Sequence, residues 1–166
     1  ASPSLIVELA LIELFDSALW TDIGVTALEA VLGLLFGSVL GTVVGLLLWS
    51  NKGVASVAHP YIVLLGSIPI FAIAPMLIIW FGIGLLSKVV MASFAVFFVS
   101  LSQAYDGAKA CAEEYGEYAR SVGASQGIFL RKVIFPGALL WVISGIKISI
   151  GLSLLGAFIG EFVVSE

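Results

Sequence analysis

The chain has 166 residues, of which 61% are hydrophobic and 11% charged, and its mean hydropathy is +1.19. Soluble globular domains carry about 25% charged residues, so this composition excludes a soluble protein and predicts one integral membrane bundle. The formal net charge is −4, and without a basic stripe the chain lacks the electrostatic signature of nucleic-acid binding, so we expect no nucleic acid among its partners.

The N-terminal segment differs from the rest because acidic side chains interrupt its apolar run. Glu8, Glu13 and Asp16 recur within an otherwise hydrophobic stretch. A charged side chain deep in the bilayer is costly, whereas a helix lying in the interface keeps its polar face in water. We therefore predict an interfacial helix over residues 1–20.

Long uncharged runs predict the membrane helices. A bilayer crossing needs about 20 apolar residues, and four stretches meet this requirement, at about 23–49, 60–81, 87–106 and 136–163. In the first of them, glycine recurs every fourth residue at Gly33, Gly37, Gly41 and Gly45. Small residues at this spacing let helices approach closely in lipid. The pattern predicts a tightly packed all-α membrane bundle and indicates contact with a partner.

The second predicted helix contains three prolines. Pro60 suits the first turn of a helix, whereas Pro69 and Pro75 should kink or break it. Broken backbone at membrane depth is tolerated only where protein buries it or where it lines a cavity. Ser67, Pro69 and Pro75 are therefore candidates for a translocation pathway, and a kinked packing helix is the alternative interpretation.

The basic residues predict the orientation. Cytoplasmic loops carry an excess of lysine and arginine, and Lys109, Arg120, Arg131 and Lys132 all lie in the segment 107–135. We therefore place this segment in the cytoplasm. Lys52 then lies on the same side, and Lys88 lies outside.

Three charged residues fall within predicted membrane helices and require an explanation. Each costs at least a few kcal/mol in lipid. Glu29 and Glu161 lie towards the outer ends of their helices, where Glu29 can reach the interface. Lys147 lies deeper, and it is roughly 21 Å from Glu161 along one helix, too far for the two to pair. Structural anchoring and contact with a transported solute remain alternatives for all three. Lys147 and Glu161 are included among the pathway candidates, and an anionic solute would suit Lys147.

The sequence argues against catalytic chemistry in this chain. It contains no GxxxxGK[S/T] phosphate loop, so we expect no ATP hydrolysis here. His59 and Cys111 are the only residues of their types, which disfavours a Ser-His-Asp hydrolase and a cysteine- or histidine-rich metal site. Gly82 and Gly84 are better explained by a simple turn than by a dinucleotide site. We therefore expect no metal and no cofactor bound by this chain.

The charged segment 107–135 is longer than a connection between two helices requires. Its alanines favour helix, and Gly116 and Gly123 are possible breaks. We predict a short helical hairpin in the cytoplasm. Such a hairpin could cap the bundle or dock onto a soluble partner.

Within this segment the residues resemble the EAA loop of bacterial ABC importer permeases. The matching positions, at the spacing of that motif, are Glu117, Tyr118, Ala119, Gly123, Val133, Phe135 and Pro136. Tyr118 replaces an alanine and Phe135 a leucine, and both substitutions keep apolar character. The stretches 77–88, 120–139 and 145–162 are similar to the nitrate, sulfonate and taurine permease subfamily.

The resemblance implies a type I ABC importer (MetI-like) permease in the bacterial inner membrane. It implies a second permease subunit, forming a homodimer or heterodimer, and an external binding protein that delivers the solute. It further implies cytoplasmic ATPase subunits that use ATP and Mg²⁺, and first and last helices that this sequence lacks. The resemblance places ATPase coupling on the motif residues together with Ala124 and Ser125. A small channel or scaffold whose cytoplasmic segment binds a partner is the alternative.

Overall fold

The structure, a computed structural model, describes residues 17–164. These residues form six α-helices and one π-helical turn, with no strand among them, so the predicted all-α membrane fold is confirmed. The helices are α1 (Ser17–Ser50), α2 (Lys52–Gly66), α3 (Ile70–Phe81), α4 (Leu85–Ser121), α5 (Gln126–Phe129) and α6 (Phe135–Val164); the π-turn (Leu130–Ile134) joins α5 to α6. The interfacial helix predicted over 1–20 lies largely outside the described residues, and its last four positions begin α1.

Three long helices, α1, α4 and α6, form the centre of the bundle. Each is long and apolar enough to cross a membrane, and α5, the π-turn and α6 together form one continuous helical run. Their outward-facing side chains are mostly large and apolar, as expected for surfaces in contact with lipid. These three helices therefore define the membrane-embedded body on which the other elements are mounted.

The glycine stripe of α1 packs against α4 of the same chain. A Cβ added at Gly37 would lie 2.6 Å from the Ser93 carbonyl oxygen and 2.8 Å from Val96 Cβ. Gly33, Gly41 and Gly45 make equally close approaches to α4. The stripe therefore joins two helices within the chain, as the predicted tight bundle requires, and the indicated contact with a partner stays a prediction.

The close contact between α1 and α4 predicts that adding a methyl group to a stripe glycine lowers stability. Gly37→Ala should lower the unfolding temperature of the purified protein, because overpacking costs about 1–3 kcal/mol and alanine's helix preference returns only about 1 kcal/mol. Gly24→Ala is the matched control, since nothing lies within 4 Å of a Cβ at Gly24. The control should retain or raise the unfolding temperature. Equal unfolding temperatures for the two variants would contradict a close-packed seam at Gly37.

The second predicted membrane helix is two helices bent by 95°. Asn51 caps α2 by accepting a hydrogen bond from Val54 N, so this helix starts before Pro60, which lies inside it. The chain breaks at Ser67–Pro69, and α3 then continues through Pro75. The structure differs from the prediction because Asn51 supplies an earlier cap and Pro75 is accommodated within α3. The pair is a broken span or a re-entrant segment.

The third predicted helix continues far beyond residue 106. α4 ends at Ser121, so the first half of the segment 107–135 is not a separate hairpin. The physical reason is a face of small residues on α4. A Cβ at Gly107 would lie 2.7 Å from Trp141 Cβ, and Ala108 and Cys111 are buried with Ile134 and Ala138 of the segment that follows.

Candidate functional site

The turn after α4 is a glycine-terminated helix end. Gly123 has φ +68°, in the left-handed region that glycine occupies without steric cost. The Ala124 amide donates to the Ala119 carbonyl at 2.9 Å, and the Gly123 amide donates to Arg120 at 3.1 Å. This bond pattern is the Schellman motif. It reverses the chain sharply, so that α5 folds back beside the end of α4.

α5 is a single helical turn that begins at Ser125. The Ser125 hydroxyl accepts a hydrogen bond from the Ile128 amide at 3.4 Å, which satisfies one of the free donors at a helix start. The Schellman turn and this cap define where α4 ends and where α5 begins. They give the cytoplasmic end, as oriented by the sequence, a defined shape.

Between these elements lies an open, mainly apolar groove, which we call the coupling groove. Tyr118 is 70% exposed, Val122 61% and Ile128 52%, and solvent-exposed apolar grooves of this kind mark sites of interaction. Lys132 supplies the groove with one basic group. The residues that line it are Tyr115, Tyr118, Ala119, Val122, Ala124, Ile128, Phe129, Lys132 and Val133.

The predicted coupling residues occupy different parts of this region. The structure places Tyr118, Ala119, Ala124 and Val133 in the groove wall. Gly123 forms the turn and Ser125 caps α5. Glu117 and Phe135 are exposed beside the groove, and Pro136 is exposed at the start of α6.

The π-turn explains how Pro136 fits into a continuous helical run. The Phe135 amide donates to the Leu130 carbonyl, one residue further back than in an α-helix. A proline inside an α-helix lacks a donor and clashes with the carbonyl four residues earlier, here that of Lys132. The wider π-turn lies directly before Pro136, where this clash would arise. The sequence had placed a helix start at Pro136, and it had no signal for this turn.

The pathway candidates do not form one cluster. Ser67 caps the end of α2, Pro69 is the N-cap of α3, and Pro75 lies six residues further along, inside α3. All three are exposed. Lys147 is exposed on a different element, α6. Glu161 lies in a separate group of polar residues.

That group, the outer ion cluster, comprises Thr26, Glu29, Lys88 and Glu161. Lys88 Nζ lies 3.2 Å from Glu29 Oε1 and 3.7 Å from Glu161 Oε1. The Thr26 hydroxyl donates to the Glu161 carboxylate, 2.8 Å and 2.9 Å from its two oxygens. The cluster therefore connects α1, α4 and α6 at the end of the bundle predicted to face outward.

Burial in the outer ion cluster is uneven. The Glu29 side chain is 1% exposed, whereas those of Lys88 and Glu161 are 17% and 28% exposed. Gly160 makes room for the lysine stem, since a Cβ there would lie 3.1 Å from Lys88 Cα. The Glu29 carboxylate is therefore buried inside the bundle, and Lys88 is the cation that neutralises its charge.

Sequence reasoning missed this pairing. It treated Glu29 as reaching the interface and Lys88 as an isolated outer charge. A signal was available, because Glu29, Lys88 and Glu161 all lie near predicted outer helix ends and two are acidic and one basic. Charges buried in a membrane protein are usually paired.

Several other residues have structural explanations. Cys111 is buried, as expected for a small packing residue, and Gly82 and Gly84 form the turn after α3 with positive φ values. His59 lies in α2 with its ring centroid 5.9 Å from that of Tyr105. Within residues 17–164, no group of histidine, cysteine and acidic side chains could hold a metal ion.

Known proteins resemble this chain over most of its length. The family model described as "Binding-protein-dependent transport system inner membrane component" matches residues 33–166. A probable ABC transporter permease protein of Haemophilus influenzae is 37% identical over 156 residues, covering 93% of this chain and 64% of that protein.

Two further relatives carry more specific names. A formylaminopyrimidine transport permease protein of Halalkalibacterium halodurans is 31% identical over 92% of this chain and 61% of its own length. A taurine transport system permease protein of Escherichia coli is 32% identical over 82% of this chain and 50% of its own length. The chain thus spans about half to two thirds of these curated relatives.

Proposed function

Because this chain belongs to the family of binding-protein-dependent transport system inner membrane components, we propose that it is the core of a permease subunit in an ATP-driven importer. As a multi-pass membrane protein, it would provide the route for a small solute. An external binding protein would deliver that solute. A second permease subunit would complete the route.

The observation that supports this proposal most directly is the coupling groove. Its exposed apolar walls at Tyr118, Val122 and Ile128 lie on the segment that carries the basic residues, so they face the cytoplasm in the predicted orientation. An amphipathic helix or loop of a soluble partner fits such a groove. We assign that partner as the ATPase subunit, which would bind ATP and Mg²⁺, while this chain has no catalytic role.

The α4–α5 turn suits the transmission of force. The Schellman end and the Ser125 cap define the turn between α4 and α5, and Phe129 of α5 packs against the buried cluster that contains Cys111 and Ile134. The helical run from Gln126 to Val163 leads from the groove into the membrane. Displacement of the groove by a partner would therefore move α6. Coupling of this kind requires that the transporter have two conformations and that the partner bind them with different affinity.

The pathway would run beside α6 and the break between α2 and α3. Lys147 is exposed within the apolar span of α6, and a lysine near the bilayer centre costs about 2.5–3.5 kcal/mol on insertion scales when it faces lipid. We infer that this face meets water or protein in the assembled transporter. The backbone break at Ser67 and Pro69 would line the same route, with Pro75 beside it, and a small anion is the solute that Lys147 favours.

Reconstitution tests this function. The full-length subunit would be purified with the ATPase and binding protein encoded beside it, and the ligand carried by the binding protein would be identified by mass spectrometry. In proteoliposomes, uptake of that ligand should require both ATP and the binding protein. Flux that needs neither would favour a channel, and the absence of flux with a bound cytoplasmic partner would favour a scaffold.

A further inference from the structure

The outer ion cluster joins three helices through one cation. Lys88, in the first turn of α4, lies within ion-pair distance of Glu29 on α1 and Glu161 on α6. Two carboxylates therefore share a single ammonium group, with Thr26 donating a hydrogen bond to the second of them. Withdrawal of Lys88 from this position would leave both carboxylates without a cationic partner among residues 17–164.

The backbone contacts beside the cluster are as close as those within the glycine seam. Ala92 of α4 lies between Gly33 of α1 and Gly156 of α6, and a Cβ at Gly156 would lie 2.7 Å from Ala92 Cα. Ala30, Ala92 and Ala157 form a buried cluster at the same level. These contacts are made by backbone and methyl groups. At these contacts, no flexible side chain of the described residues lies between the helices to fill the space if one helix moved relative to another.

Separation of these helices would have a direct electrostatic cost. The second oxygen of Glu29 is buried without a hydrogen-bond partner among the described residues, so this carboxylate depends on Lys88. Opening the α1–α4 interface would expose an unpaired charge to lipid or to a widening gap. The cluster therefore favours one arrangement of the three helices.

We propose that Lys88 is a positioning residue that holds the outer ends of α1, α4 and α6 together throughout the transport cycle. This inference rests on the proposed transport function. The rearrangement at the outer side then falls on the α2–α3 pair, of which α3 contacts the central helices through the cluster of Ala74, Leu77, Met91 and Ile159.

A covalent substitute for the ion pair tests this assignment. Glu29→Cys and Lys88→Cys would be combined in a Cys111→Ala background of the complete transporter. A short, reductant-cleavable bifunctional thiol reagent would then link α1 to α4. ATP hydrolysis stimulated by the binding protein should be at least as fast in the linked form as in the reduced form, because the link replaces the ion pair.

Two results of the cross-linking experiment would overturn the assignment of Lys88. A linked form that falls to basal hydrolysis and recovers on reduction would show that the helices must separate, which would overturn the assignment. Absence of stimulated hydrolysis in both forms would also count against it, since the link would then have failed to replace the pair. Either result leaves the proposed function intact if the unmodified transporter imports its ligand.

A second measurement leaves the ion cluster unchanged. Ala30 is 5% exposed, and Ala30→Cys in the Cys111→Ala background places a thiol inside the α1–α4–α6 interface. Its maleimide labelling rate should be slow and should change less than twofold between nucleotide-free and nucleotide-trapped transporter. An increase of tenfold or more would overturn the assignment. Val57→Cys, at an exposed position of α2, serves as the reagent control.

Discussion

Lys88→Met should lower the stability of the central bundle by more than Gly37→Ala at the glycine seam. Methionine keeps much of the lysine stem, so packing against Gly160 is retained while the charge is removed. Glu29 then becomes a carboxylate that is 1% exposed and has no cation. Breaking a buried ion pair by removing one partner costs about 3–5 kcal/mol. The free energy of unfolding, measured by denaturant titration in mixed micelles, should fall by this amount.

Companion variants separate the charge effect from general damage. Glu29→Gln alone should cost less, because Lys88 can still pair with Glu161 at 3.7 Å. Glu29→Gln with Lys88→Met should be more stable than Lys88→Met, since the sealed charge is then absent. Lys109→Met is the matched control on the exposed surface of the same helix, where a change within about 0.5 kcal/mol is expected. Equal losses for Lys88→Met and Lys109→Met would contradict the ion-pair argument.

The features that the sequence predicted correctly are those encoded locally. Apolar composition depends on which residues are present, so the membrane class could be inferred without coordinates. The four-residue spacing of glycines in α1 indicated a close helix contact, since residues four apart share a helix face. Which surface this stripe meets could not be inferred, because it depends on the register that brings Ala92, Val96 and Leu101 of α4 against the glycines.

Features that depend on distant residues were missed. The partner of Glu29 is 59 positions away in the chain, and helix register rather than spacing brings Lys88 to it. The extent of α4 was missed for a related reason. Charges at Lys109 and Glu113 suggested a solvated segment, yet Ala108 and Cys111 on the other face of the same helix are buried. The average composition concealed two faces of opposite character.

The candidate coupling site also combines a feature encoded locally with one that depends on how separate elements pack. Of the two possible breaks, Gly123 ends α4 with a positive φ, whereas Gly116 lies inside the continuous helix. The groove itself could not be predicted, because it arises from the return of α5 beside α4. Lys132 and Val133, adjacent in sequence, both reach it from the π-turn, and that turn depends on the geometry before Pro136.

Glu117→Arg should uncouple ATP hydrolysis from solute uptake while leaving the protein inserted and folded. Glu117 is exposed one residue before Tyr118 of the groove, and it makes no ion pair with a described residue. Its stability contribution is therefore small. Its charge is available to a basic group of the proposed ATPase subunit, and arginine would replace that attraction with repulsion.

The expected loss of coupling follows from the repulsion that arginine at position 117 would meet from a basic group of the proposed ATPase subunit. An opposed pair of like charges at an interface costs several kcal/mol, and a loss of 1.4 kcal/mol already corresponds to a tenfold change in an equilibrium constant. Uptake per ATP hydrolysed, measured in proteoliposomes with the identified ligand, should therefore fall by about tenfold or more. Basal hydrolysis by the ATPase subunit should persist, because its catalytic groups would lie outside this chain.

Glu113→Arg provides the control for this result, since it makes the same charge change one turn earlier on the same exposed side of α4. A general electrostatic effect on the cytoplasmic surface would reduce uptake equally in both variants. A specific contact at the coupling groove would reduce it mainly in Glu117→Arg. If Glu117→Arg retained the wild-type ratio of uptake to hydrolysis, Glu117 would have no role in coupling, and the ATPase would have to engage the groove through its apolar wall at Tyr118, Val122 and Ile128 alone.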